Sequence, residues 1–89
     1  MNNPRVYADF NNADVRGRLR LNCVGTMEDL AGQQITLRER QWLTLYDEEL
    51  EVEGQVAFSP EDNVWVALID WAAIKRQSPR VEQVEYAVG

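Results

Sequence analysis

The sequence predicts a small all-β protein: an antiparallel meander of five or six strands, with one or two short helical turns, curled into a barrel. Apolar and polar residues alternate with a period of two along most of the chain, which is the pattern of half-buried strands. Turn-forming clusters such as NNAD (11–14) and SPEDN (59–63) separate these stretches. With only 89 residues, a sheet covers its edges best by closing on itself. We predict a single domain over residues 1–89.

The first half of the chain is predicted to hold two strands and a helical turn. RVYADF (5–10) and RGRLRLNCV (16–24) alternate on either side of the NNAD turn, and they are the first two strands. TMEDL (26–30) is predicted as one helical turn, with Thr26 and Asp29 as a capping pair.

The second half continues the alternation. The further predicted strands are QITLR (34–38), WLTLYD (42–47), ELEVEGQVAF (49–58) and the stretch 64–71. A turn at WAAIKR (71–76) follows, and residues 81–89 are either a last strand or a loose tail. Gly17 and Gly54 interrupt strand patterns, which predicts bends or bulges there. The whole pattern is typical of the SH3-like or similar class of small barrels.

The stretch NVWVALIDWAAI (63–74) is apolar on both faces of its strand. The preferred interpretation places Val64, Val66 and Leu68 inside the barrel and leaves the other face outside, with residues Trp65, Ala67, Ile69 and Trp71. The opposite assignment stays open because the larger side chains would fill a core well. Asp70 suits either proton transfer, if apolar neighbours raise its pKa, or helix capping, which is favoured.

Composition disfavours several classes of protein. The chain has 15 acidic and 9 basic residues and a net charge of −6, which argues against binding to nucleic acid or an anionic membrane. The single cysteine, Cys23, cannot form an intrachain disulfide and fits a reducing compartment. No apolar run approaches the ~20 residues of a membrane span, and the N-terminus has no signal pattern. We expect a soluble, cytoplasmic protein.

Catalysis has little support in the sequence. Histidine is absent, which removes the usual general base and the commonest nitrogen ligand for metals. Cys23 lies in phase with buried leucines, and Ser59 and Ser78 precede prolines in turns. There is no glycine-rich phosphate loop and no paired-cysteine metal site. We expect no enzymatic activity, no cofactor and no metal.

Aromatic residues form the first candidate site. Trp42, Tyr46, Trp65 and Trp71 come together on one outer surface if their strands are neighbours. Such residues dominate binding hot spots, so the surface predicts binding to a protein partner or to a second copy of the chain. An acidic surface beside it would suit a basic or proline-rich peptide. The alternative is that the helical turn or the C-terminal segment covers this face as a second small core.

Two stripes of charge form further candidates. Arg16, Arg18 and Arg20 project from one side of a strand, which gives the alternative function of RNA or anionic-ligand binding. Residues 49, 51 and 53 are glutamates on one side of another strand and would suit a divalent cation. The favoured interpretation is that both stripes are solvated faces or pair with each other, since neither has a recognised ligand pattern.

The stretch TLYDEEL (44–50) resembles the ALYDY signature that opens SH3 domains. Here it lies in the middle of the chain, and the paired tryptophans and the PSNYV-like element that follow it in that family are missing. We therefore assign no family and infer no peptide specificity from the resemblance.

Overall fold

The computed structural model describes residues 3–77, so the predicted last strand or tail at 81–89 lies outside the described part. The described residues form six strands, one α-helix and a 3₁₀ turn. The strands are β1 (Arg5–Tyr7), β2 (Leu19–Arg20), β3 (Trp42–Tyr46), β4 (Leu50–Ser59), β5 (Val64–Ile69) and β6 (Lys75–Arg76). The helix α1 spans Val24–Gly32 and the 3₁₀ turn spans Trp71–Ala73.

The strands build one curled, half-closed sheet in the order β1-β3-β4-β5-β2, and β6 pairs with the start of β4. The all-β class and the number of strands are confirmed. β3, β4 and β5 form the predicted antiparallel meander, whereas β1 runs parallel to β3. Alternation along one strand carries no information about the direction of its neighbour, so the parallel pair is visible only in the structure.

Two rows of residues across the central strands define the two faces of the sheet. Leu43, Gly54 and Ile69 are direct cross-strand partners and face the core. One residue along, the partners Trp42, Gln55 and Leu68 face outward. The buried apolar side chains nearest the first row are those of Leu43, Leu45, Val52, Val56 and Ala67.

The preferred facing of β5 is wrong, and the open alternative holds. Trp65, Ala67 and Ile69 lie on the core side of the sheet, and the Trp65 ring packs edge to face on Phe58 at 5.1 Å. Val66 is nevertheless fully buried on the other side, where Arg20 of β2 is its cross-strand partner. On the same outer face, Ser59 is also fully buried and accepts a hydrogen bond from Arg18 of the turn before β2, so this end of the outer face is covered as well.

Four further segments differ from the prediction. The strand predicted at 16–24 is reduced to Leu19–Arg20, and Lys75–Arg76, predicted in a helical turn, forms a strand. Residues 34–38 form no strand; Ile35 and Leu37 pack against the core from irregular backbone. The helix is nine residues long and begins before Thr26, with Cys23 as its N-cap residue. Period-two spacing of two apolar residues is too short a signal to distinguish a strand from a loop that inserts both side chains into a core.

Helix α1 lies along the edge of β1 that has no neighbouring strand. Thr26 donates to the Tyr7 carbonyl (2.6 Å), and the Tyr7 amide donates to the Asp29 carboxylate (2.8 Å). Gln33 donates to the Arg5 carbonyl (2.6 Å). Thr26 and Asp29 are therefore not a capping pair, because both form hydrogen bonds with the backbone of β1, as a neighbouring strand would. The helix covers this edge of the sheet, whereas the prediction was that the sheet would have no free edge because it closes into a barrel.

Gly54 lies within a continuous ladder and forms no bulge, contrary to the prediction. A Cβ atom at this position would lie 2.7 Å from Leu45 Cδ1 and 3.0 Å from Ile69 Cγ2. The absence of a side chain lets these two residues meet above the backbone of β4. Gly17, by contrast, has a φ of +78° in the turn before β2, so the predicted bend there is confirmed.

We expect Gly54→Ala to lower the free energy of unfolding by about 1–3 kcal/mol, because the added methyl group overpacks a site between two core side chains. Gly32→Ala is the matched control, since a Cβ atom added to this helical residue would meet nothing within 4 Å. That variant should be neutral or more stable by up to about 1 kcal/mol. Urea unfolding of both variants measures the difference, and equal stabilities would contradict the role given to Gly54.

Candidate functional site

The four aromatic residues predicted to share one surface do not all come together. Trp42 and Trp71 are about half exposed, at 49% and 46% of their surface. Trp65 lies on the core side of β5. Tyr46 shares the outer face of β3 with Trp42, at the other end of the strand and against α1. Leu68, which was not among the predicted site residues, is 46% exposed, and Gln55 lies between it and Trp42 as the cross-strand partner of both.

We call the half-exposed side chains of Trp42, Leu68 and Trp71 the outer apolar patch. Leu68 and Trp71 line one open pocket of about 330 Å³. The remaining wall residues are Arg16, Gly17, Arg18 and Ile69. The pocket thus brings Trp71 of the predicted aromatic surface together with Arg16 and Arg18. These residues were predicted to belong to two separate sites.

Trp71 is held in place by its polar atom. Its Nε1 donates to the carbonyl of Gly17 at 2.7 Å. A side chain on Gly17 would meet the same indole nitrogen at 3.1 Å, so this close approach needs glycine. Asp70 accepts a hydrogen bond from the amide of Ala72 at 3.0 Å and is the N-cap of the 3₁₀ turn, as predicted. The indole is therefore fixed between two turns, with its ring half exposed.

Tyr46 connects the sheet to α1. Its hydroxyl donates to the Asp29 carboxylate at 2.7 Å, and its ring packs edge to face on Tyr7 at 5.8 Å. Arg5 lies over the other ring face, 4.6 Å from the centroid. The hydrogen bond to the negative carboxylate, aided by burial, raises the pKa of Tyr46 above its ordinary value. These contacts occupy the residue, so we leave it out of the outer apolar patch.

Each of the three predicted arginines has an acidic partner. Arg18 binds Asp14 at 2.7 Å in a buried pair, with 17% and 2% of the side chains exposed. Arg16 meets Glu61 at 3.5 Å in an exposed pair. Arg20 meets Asp62 at 3.7 Å. The stripe is therefore charge-compensated, although by acids other than the predicted glutamates.

The glutamate stripe is likewise paired. Glu51 meets Arg5 at 3.1 Å, and Glu49 meets Arg76 at 3.9 Å. Glu53 accepts hydrogen bonds from Thr44 at 2.8 Å and from Asn3 at 2.5 Å. Within residues 3–77, no group of three or more histidine, cysteine or acidic side chains is placed to hold a metal ion.

The candidate nucleophiles of the described chain are engaged in structural contacts. Ser59 is fully buried, with its hydroxyl 3.2 Å from the Glu61 carboxylate. The Cys23 Sγ lies 3.0 Å from the hydroxyl of Thr26 at the start of α1. Between residues 3 and 77, no helix has the length and apolar character that crossing a membrane requires.

Comparison of the chain with protein-family models, curated proteins and solved structures gave no match.

The turn that carries Gly17 is organised by one carboxylate. Asp14 accepts hydrogen bonds from the amides of Arg16 and Arg18, each at 2.9 Å, as well as from the Arg18 guanidinium. Burial acts to raise the pKa of Asp14, but these three donors outweigh it, and the pKa lies below its ordinary value. The charged form of Asp14 thus stabilises the wall of the pocket.

Asp14→Asn should reduce the free energy of unfolding at pH 7, because the amide keeps an acceptor oxygen but loses the charge that faces Arg18. A carboxyl whose pKa is lowered by folding stabilises the fold above its unfolded pKa of about 4. That contribution disappears as the pH falls through the lowered value. The difference between wild type and variant should therefore be largest near neutral pH and vanish in strong acid.

Urea unfolding at a series of pH values measures this difference. Arg16→Gln is the control, since its ion pair with Glu61 is exposed and should contribute little. A difference for Asp14→Asn that does not change with pH would contradict the assignment.

Proposed function

We propose that this chain is a non-catalytic interaction module whose outer apolar patch binds a protein partner. The observation that carries the proposal is the hydrogen bond from Trp71 to Gly17, which satisfies the polar atom of the indole and leaves its apolar ring half exposed. A tryptophan already fixed in the free protein loses little conformational entropy on binding. Leu68 and Trp42 extend the patch across the sheet.

The covered edges of the sheet favour its face as the binding surface. The free side of β1 is bonded to α1. Beside β2, the amide of Arg20 bonds to the carbonyl of Asn12, and Leu19 bridges to Ala13. A partner that adds a strand to either edge would have to displace these contacts, whereas a partner that packs on the face breaks none of them.

The pairing of the arginines makes RNA or anionic-ligand binding the less supported function. Binding of a phosphate to Arg18 would compete with a buried ion pair, and binding to Arg16 or Arg20 would compete with Glu61 or Asp62. The net charge of −6 adds a long-range repulsion. Salt dependence separates the two functions, because phosphate binding weakens steeply with ionic strength and apolar packing does not.

The experiment is a selection of binders from a random peptide library displayed on phage, with the full-length protein as bait. We expect enriched peptides that share an apolar anchor and whose affinity falls at least tenfold in Trp71→Ala and in Leu68→Ala. Such losses match the roughly 1.4–3 kcal/mol that central anchors contribute. Affinities are measured by calorimetry at low and high salt.

Met27→Ala is the matched control, since Met27 is 54% exposed on α1, which packs against the other edge of the sheet. Its affinity for the selected peptides should equal that of the wild type. Failure to enrich any peptide, or enrichment of peptides that bind Trp71→Ala and Leu68→Ala as well as the wild type, would overturn the proposal. So would affinity that is lost at high salt.

A further inference from the structure

The outer apolar patch is half exposed, and the C-terminal sequence carries apolar residues in a pattern that suits such a surface. In residues 81–88 (VEQVEYAV), the apolar residues Val84, Tyr86 and Val88 recur with a period of two. This alternation is typical of a segment that lays one face on an apolar surface. Within residues 3–77, no segment covers the half-exposed side chains of Trp42, Leu68 and Trp71.

One arginine at the patch has the charge to attract the acids of the C-terminal sequence. Residues 81–88 carry two acids, Glu82 and Glu85, and no base. Arg16, at one end of the patch, is already paired with Glu61. Arg40 lies at the other end, where its carbonyl accepts a hydrogen bond from Gln55 at 3.3 Å. Among the described residues, Arg40 is exposed and has no carboxylate within salt-bridge distance.

The described chain ends where residues 81–88 can reach the patch. The amide of Gln77 bonds to the carbonyl of Glu49, and its side chain bonds to Arg5, which lies on the outer face of the sheet. From Glu49 to Gln55 the sheet runs about 20 Å, at ~3.4 Å per residue. Residues 78–89 span up to about 40 Å when extended. The twelve residues that follow Gln77 are therefore long enough to reach the patch.

We propose that residues 81–88 bind the outer apolar patch of their own chain. The side chains of Val84, Tyr86 and Val88 pack against Leu68 and Trp71. The segment then acts as an internal ligand for the surface to which we assign partner binding. A partner would have to displace it, so the segment lowers the apparent affinity of the module.

The test uses the full-length protein labelled with ¹³C and ¹⁵N for NMR. We expect nuclear Overhauser contacts from the Tyr86 ring to the methyl groups of Leu68 and to the indole of Trp71. In the double variant Val84→Asp and Tyr86→Asp, the Trp71 side-chain resonances should shift. The matched control, Gln83→Asp with Ala87→Asp, makes the same change of net charge at the opposite parity and should leave those resonances in place.

Three results would overturn this proposal. The first is the absence of contacts from Tyr86 to the patch, and the second is an equal shift of the Trp71 resonances in both double variants. Alternatively, a mixture of labelled and unlabelled protein shows that the contacts join two molecules, in which case a second copy is the occupant.

The failure of this proposal and that of the proposed function are distinguishable. If peptides bind the patch while no contact from residues 81–88 is found, only the internal ligand is wrong. If the contact is found and no selected peptide binds even the Val84→Asp and Tyr86→Asp variant, the segment is a permanent cover and the interaction module is wrong. If both hold, selected peptides should bind that variant several-fold more tightly than they bind the control.

Discussion

The packing of Leu45 and Ile69 above Gly54 is the constraint on which the rest of the structure depends. Strand β4 has β3 on one side and β5 on the other, and its side chains alternate between core and solvent. Only glycine allows the two core side chains to meet there. A shift of β4 by one residue would bring Gln55 into that row and turn the core-facing residues of β4 to the outer side. The same register that buries Ala67 places Trp42 and Leu68 outside.

Covered edges and an incompletely covered face follow from this arrangement. The side chains of Thr26, Asp29 and Gln33 satisfy the backbone of β1, so the sheet is finished at that edge without closing into a full barrel. The turn organised by Asp14 covers one end of the outer face and holds Trp71 through Gly17. What remains exposed is a patch in which the Trp71 indole is held by its hydrogen bond to Gly17.

The sequence predicts those parts of the fold in which a local pattern has a single physical cause. Long alternation predicts β3 and β4, a short apolar run after a turn predicts β5, and the Asp70 side chain predicts the cap of the following turn. The facing of β5 could not be predicted, because both faces are apolar and only contact with β2 and the core separates them. The hydrogen bonds of Thr26 and Asp29 to the free edge of β1 could not be predicted either, since the same two residue types also fit a helix cap. For the candidate site, the sequence identifies Trp42 and Trp71 but not Leu68, whose exposure depends on the register.

Nuclear Overhauser contacts of the Gly54 α-protons test the register most directly. The account predicts strong contacts from these protons to the methyl groups of Leu45 and Ile69, together with ring contacts between Phe58 and Trp65. Contacts from the Gly54 α-protons to the side chains of Trp42 and Leu68 in their place would show that the faces are exchanged, and would contradict the account of both the core and the outer apolar patch.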